Sequence, residues 1–119
     1  MSARCPCTSG QPLDACCGPA LADHAAATTA ERLMRSRFTA FALGDAAHLL
    51  RTWHPSTRPA ALDLDDSLRW TRLDVHRAET ALVEFTAFFR SPDGPGRLHE
   101  TSRFLREDGL WFYLEGVTA

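Results

Sequence analysis

The order of periodicities along these 119 residues predicts an α+β fold: an N-terminal zinc knuckle, then an α+β roll in which a helical hairpin packs on a four-stranded antiparallel sheet. Three observations predict it. All four cysteines lie between positions 5 and 17. Apolar residues then recur at three- and four-residue steps as far as Trp53, and from about Arg69 the pattern changes to period two. Helices followed by a meander imply that the helices cover one face of the sheet. With 45% hydrophobic residues the chain can hold one domain with a real core and a short appendage, but not two independent domains.

The appendage is the cysteine segment. It reads C-x-C, eight residues, then C-C, with Cys5 and Cys7 facing Cys16 and Cys17 across turns supplied by Ser9-Gly10 and Gly18-Pro19. Zinc takes four soft ligands in a tetrahedron, and two close thiolate pairs provide them with no position left open for water. This spacing points to one structural Zn²⁺ rather than a catalytic one. So small a knuckle cannot bury enough apolar surface to fold alone, so metal would supply most of its folding free energy. Two other readings of the same residues stay open: a thiol redox switch at Cys5/Cys7 or Cys16-Cys17, and four ordinary buried cysteines. The pattern resembles the SEC-C motif of the SecA translocase C-terminus, whose last ligand is His or Cys. That resemblance implies zinc and suggests a docking surface for a protein partner, not an enzyme.

Residues 20–27 are alanine-rich and read as a linker between a knuckle over 1–20 and a roll over 28–119. Thr28-Thr29-Ala30-Glu31 has the form of a capping box and predicts a helix start. Ala30, Leu33, Met34, Phe38, Phe41 and Ala42 form one apolar face, with Arg32, Arg35 and Thr39 off it, and Gly44 ends the helix. Asp45 caps a second helix with Ala46, Leu49, Leu50 and Trp53 on its apolar face, stopped by His54-Pro55. Residues 55–67 have little periodicity and read as an irregular connection with at most one helical turn.

Four strands follow. Thr71, Leu73 and Val75 share a face of the first, and Ala81, Val83, Phe85, Ala87 and Phe89 a face of the second. The cluster over 91–96 (SPDGPG) is a turn, 98–106 a third strand, Glu107-Asp108-Gly109 a tight hairpin and 110–115 a fourth strand. On the third strand Glu100, Ser102 and Phe104 point one way, and His99, Thr101, Arg103 and Leu105 the other, unless a bulge intervenes.

Charge narrows the partners. There is no lysine, and a formal net charge of −2 offers no general attraction for nucleic acid or an anionic membrane. No apolar run approaches the ~20 residues of a membrane span, and the first residues lack a signal-peptide core, so a cytosolic protein is expected. A reducing compartment in turn favours metal over disulfides for the cysteines.

Laid end to end, the chain is similar to the YchJ family of small bacterial proteins. The resemblance is carried by Cys5-Pro6-Cys7, Cys16-Cys17-Gly18-Pro19, Leu33-Met34-Arg35-Ser36-Arg37-Phe38 with Ala40-Phe41, and Thr52-Trp53-His54-Pro55. It continues in Glu100-Thr101-Ser102-Arg103-Phe104-Leu105 leading into Gly109-Leu110-Trp111-Phe112-Tyr113. It implies a nuclear transport factor 2-like, cystatin-related roll and carries no established activity. Longer members have a second cysteine motif after the roll, which is not found here up to Ala119.

Rolls of this type enclose a conical pocket between the sheet and the helices, where ligands are sought first. The polar candidates for it are Arg35, Arg37, His54, Glu100, Ser102, Arg103 and Tyr113, with Arg35, Arg37 and His54 expected to meet Glu100 or Arg103 at its mouth. Each has a plainer reading. Arg35 and Arg37 suit a solvated helix face, His54 a helix C-terminus, Glu100 a structural ion pair, and Trp53, Trp111 and Phe112 the core. No Ser-His-Asp order, phosphate loop or metal-histidine pair is present. The expectation is therefore a binding or adaptor protein, with a partner at the knuckle and a small molecule or another chain at the roll. The alternatives are a small enzyme, with His54 or Glu100 as base and arginines holding an anionic substrate, or a redox sensor. Leu82 and Phe88 on the far side of the second strand leave room for a homodimer through the open sheet face.

Overall fold

A computed structural model describes residues 3–117. Its helices are α1 (Gly18–Ala22), α2 (Ala30–Leu43) and α3 (Ala46–Arg51), with short 3₁₀ turns at Leu13–Ala15 and His24–Ala26. Its strands are β1 (Arg69–Ala78), β2 (Leu82–Ser91), β3 (Gly94–Glu107) and β4 (Leu110–Val117), paired antiparallel in the order β1-β2-β3-β4. This is the helix-then-meander roll expected from the periodicities. Among the described residues no helix is long and apolar enough to cross a membrane.

Helix α2 forms where its cap and stop signals agree. Thr29, in extended conformation, accepts the Arg32 amide on its hydroxyl at 3.0 Å. The cap is thus one residue later than the capping-box reading places it, and Glu31 falls too early to close the box. Glu31 instead pairs with Arg35 one turn on, at 3.0 Å. Gly44 ends the helix with φ 76°, a left-handed value glycine adopts without a Cβ clash. Asp45 then accepts the His48 amide at 3.0 Å and starts α3. The helix stops at Arg51, short of His54, so His54 is not its cap.

Two further expectations shift. Residues 20–27 are not a loose linker: α1 and a 3₁₀ turn occupy them, and Ala20 and Ala27 are buried. Thr39, expected off the apolar face of α2, is completely buried, because the knuckle covers that side. Helix α2 therefore has three neighbours, the knuckle, α3 and the sheet, and an amphipathic pattern drawn for one apolar face undercounts what it buries.

The strands keep the predicted order but not every facing. β1 has an irregularity between Trp70 and Arg72: Trp70 pairs with Phe89 and Arg72 with Phe88, leaving Thr71 unpaired and exposed. Such a bulge reverses side-chain facing. Trp70, not Thr71, joins Leu73 on the inner side, where it meets Phe38, Phe41 and Phe89. The expected turn cluster shortens to Pro92-Asp93, since Pro95 and Gly96 already pair with Arg90 and Phe89. Ala81 lies in the preceding turn, exposed, rather than on β2. Asp108 and Gly109 both have positive φ, 53° and 80°, the conformation a two-residue hairpin requires.

One apolar cluster runs through the molecule. Cys5, Cys7, Cys17 and Ala20 belong to it together with Leu33, Phe38, Leu73, Val83, Phe85, Phe104 and Trp111. The knuckle is built into the wall of the roll. On the other side, residues after α3 dock on β4: the Tyr113 amide donates to the Thr52 carbonyl and the His54 amide to the Tyr113 carbonyl, each at 2.8 Å. This covers part of an edge that would otherwise present open hydrogen-bonding groups.

Candidate metal centre and ligand chamber

The C-x-C arm is held by backbone bonds, Cys5 N to Gln11 O at 2.9 Å and Thr8 N to Cys5 O at 3.0 Å, which turn both thiols inward. Thr8 and Gly10 take positive φ to make the turn. The 3₁₀ turn at Leu13–Ala15 then delivers Cys16 and Cys17 from the opposite side. The four sulfur atoms all lie within 4.8 Å of one another, with Cys7 and Cys16 at 3.6 Å and Cys16 and Cys17 at 4.0 Å. A tetrahedron of thiolates around zinc at ~2.3 Å has edges of about 3.8 Å. The donor set and its spacing fit the metal, and Cys5, Cys7, Cys16 and Cys17 would hold it.

The surroundings fit thiolates as well. The Thr39 hydroxyl lies 3.5 Å from Cys5 Sγ, the Ser9 hydroxyl 3.1 Å from Cys16 Sγ, and Arg35 Nη1 is 3.9 Å from Cys7 Sγ. Hydrogen bonding from Cys17, against the opposing effect of burial, draws the Cys7 thiol down to about 4. The same bond raises Cys17, and burial raises Cys16. Burial opposes the charge on Arg35, but Glu31 and Cys7 outweigh it and hold the guanidinium above its ordinary range. Without a cation, four negative sulfurs this close would repel by several kcal/mol per pair at an effective dielectric near ~20.

The second feature is a chamber of about 280 Å³ between α2 and the sheet. Met34, Phe38 and Phe41 of α2 form one wall, Phe85, Ala87 and Leu98 of the sheet another, and Trp53 and Trp70 flank them. Arg37, Glu100, Ser102 and Tyr113 bring the polar groups. Arg37 is only 4% exposed. Its Nη1 donates to the Leu49 carbonyl and the Thr52 hydroxyl, both at 2.8 Å, and its guanidinium carbon lies 4.4 Å from the Tyr113 ring centre and 5.1 Å from that of Trp53. Burial lowers it to about 10, which still leaves it charged at neutral pH. Burial, together with the Glu100 charge, raises the Tyr113 hydroxyl.

The structure separates the seven polar candidates. Arg37, Glu100, Ser102 and Tyr113 line the chamber. Arg35, two residues from Arg37 and so on another side of the helix, turns to the cysteines. Arg103 lies on the far face of the sheet with Glu115, at 3.3 Å. His54 points away to Glu107 at 2.7 Å, with Ser56 on its other ring nitrogen. The meeting of Arg35, Arg37 and His54 with Glu100 or Arg103 is therefore not formed: Arg35 turns to the cysteines, His54 to Glu107 and Arg103 to Glu115, and of these only Arg37 and Glu100 share the chamber. Trp53 and Trp70 are chamber residues that reading by pattern missed. Trp53 looked like helix core, and the bulge that turns Trp70 inward leaves no mark in the sequence.

A profile described as YchJ, middle NTF2-like domain, matches residues 29–116. The chain belongs to the YchJ family. Its relatives within the family include a UPF0225 protein of Deinococcus radiodurans, 52% identical over 95% of this chain and 88% of its own length. Another is a UPF0225 protein of Streptomyces coelicolor, 50% identical over 94% of this chain and 93% of its own. Among solved structures, a SEC-C motif containing protein from Rhodopseudomonas palustris superposes with a TM-score of 0.85 at 34% identity, covering 100% of this chain and 99% of that one. A second SEC-C motif containing protein, from Psychrobacter arcticus, gives 0.70 at 25% identity, covering 100% and 84%. For this YchJ-family chain, then, the nuclear transport factor 2-like roll and the SEC-C-type cysteine motif stand together, as expected from the residues that carry the resemblance.

Proposed function

We propose that this chain is a zinc-stapled binding module: one Zn²⁺ on Cys5, Cys7, Cys16 and Cys17 holds the knuckle against α2, and the chamber on the other side of α2 takes a small ligand. The observation that carries the reading is that a single helix serves both sites. Arg35 and Thr39 reach the cysteines, while Met34, Arg37, Phe38 and Phe41 line the chamber. A metal that fixes the helix on one side therefore fixes the chamber wall on the other. The four-thiolate shell leaves the metal no open position for chemistry. Of the two candidate bases, His54 pairs with Glu107 outside the chamber and only Glu100 borders it. A protein partner belongs at the exposed rim of the knuckle, Ser9 to Gln11. A cytosolic setting, where thiols stay reduced, agrees with this use of cysteine.

Native mass spectrometry of protein purified without added metal tests the staple. One zinc per chain, lost in Cys16→Ala, is the expected result. Metal-free protein with oxidised cysteines would overturn it in favour of a redox sensor.

A further inference from the structure

We propose that the chamber binds a small zwitterion of the amino-acid type with an apolar side chain, its carboxylate on Arg37 and its ammonium on Glu100. This deepens the binding reading above and rests on it.

Arg37 uses only part of its fork. Nη1 makes both of its hydrogen bonds, and among the described residues Nε and Nη2 have no partner. A buried guanidinium with two unused donors is suited to a carboxylate, which it can grip through two parallel bonds. Trp53 Nε1, on the same chamber, is a buried donor with no partner among the described residues, and a second carboxylate or carbonyl contact would satisfy it. Glu100 supplies the opposite charge. Its carboxylate takes a hydrogen bond from Ser102 at 3.3 Å, and it lies against Gly116, where a Cβ would collide with it. The missing side chain at Gly116 is what lets the carboxylate sit there.

Arg37 and Glu100 do not neutralise each other by contact: among the described residues no ion pair within 4.0 Å joins them. Both nevertheless border one small space, and Glu100 acts on Arg37 through its charge. A plain anion would gain Arg37 but be repelled by Glu100, and a plain cation would meet the reverse. A purely apolar ligand would strip water from both charges and return nothing. A zwitterion satisfies both ends at once, and its side chain falls among Phe38, Phe41, Trp70 and Leu98. A volume of about 280 Å³ is at the small end for ligand sites, which suits a ligand the size of an amino acid.

The test uses the full, zinc-loaded chain labelled with ¹⁵N, titrated with L-phenylalanine, 3-phenylpropionate (no ammonium) and phenethylamine (no carboxylate). The expected result is a saturable shift of the Trp53 indole N–H with phenylalanine, and at least about tenfold weaker binding of both analogues. In Glu100→Gln, with an otherwise unchanged spectrum, the preference for phenylalanine over phenylpropionate should disappear. If either analogue binds wild-type protein as tightly as phenylalanine, the site recognises one charge only, and the zwitterion proposal falls while small-ligand binding stands. If none of the three shifts the chamber signals at about 10 mM, both fall. The wild-type comparison decides the matter even if the variant fails to fold.

Discussion

His48 is completely buried between α2 and the end of α3, and its bonds define its protonation. The Ser36 hydroxyl donates to the Leu33 carbonyl at 2.8 Å, so it accepts from His48 Nε2 at 2.9 Å, and Nδ1 accepts from Arg51 at 2.8 Å. The ring is neutral, and a second proton would face the Arg51 guanidinium. Burial, then Arg51, lowers its pKa from 6.5 to about 4. The unfolded chain therefore takes up a proton as the pH falls through 6.5 while the folded chain does not, so stability is full above that pH and lost progressively down to about 4. Between about pH 7 and about pH 5 the loss should be about 2 kcal/mol. Urea unfolding of wild type and His48→Gln at both pH values checks this. The wild type should lose more than the variant, and equal losses would refute it. Nothing in the sequence separates this histidine from an exposed one, since its burial depends on how α3 folds back on α2.

At the scale of elements, the start of α2 distinguishes two readings of adjacent threonines. The hydroxyl on the Arg32 amide belongs to Thr29. Thr29→Ala should cost about 1 kcal/mol, and Thr28→Ala only a few tenths, in thermal or denaturant unfolding. The opposite ranking would restore the capping-box register. The β3–β4 hairpin offers a second check. Gly116→Ala places a Cβ into the Glu100 carboxylate, which must move. It should perturb the NMR signals of Glu100 and Ser102 while leaving the cysteine segment unchanged. The Asp45 cap, the Gly44 stop and the Asp108-Gly109 hairpin were legible because each acts over a few neighbouring positions, whereas the α2 cap was read one residue early. The bulge at Thr71 was not, since it arises from fitting β1 to β2 across the sheet.

At the scale of the molecule, α2 joins the knuckle to the chamber, which makes metal removal a test of the whole design. Chelation of the zinc-loaded protein should lower Tm by about 10 °C or more, and should broaden the signals of Met34 and Phe38, which line the chamber. A roll unchanged in Tm and spectrum after zinc loss would show the knuckle to be an independent appendage. The sequence by itself determined the cysteine cluster, the element order and the roll, because ligand spacing, local caps and the change of period from 3.6 to two are properties of neighbouring residues. Only the tertiary structure decided that Arg35 serves the cysteines while Arg37 serves the chamber, that His54 and Arg103 leave it, and that Trp70 enters it. Two residues of helix rotation, one bulge and the packing of three elements on one helix set those directions. They are fixed by contacts between segments far apart in the chain, where local pattern carries no information.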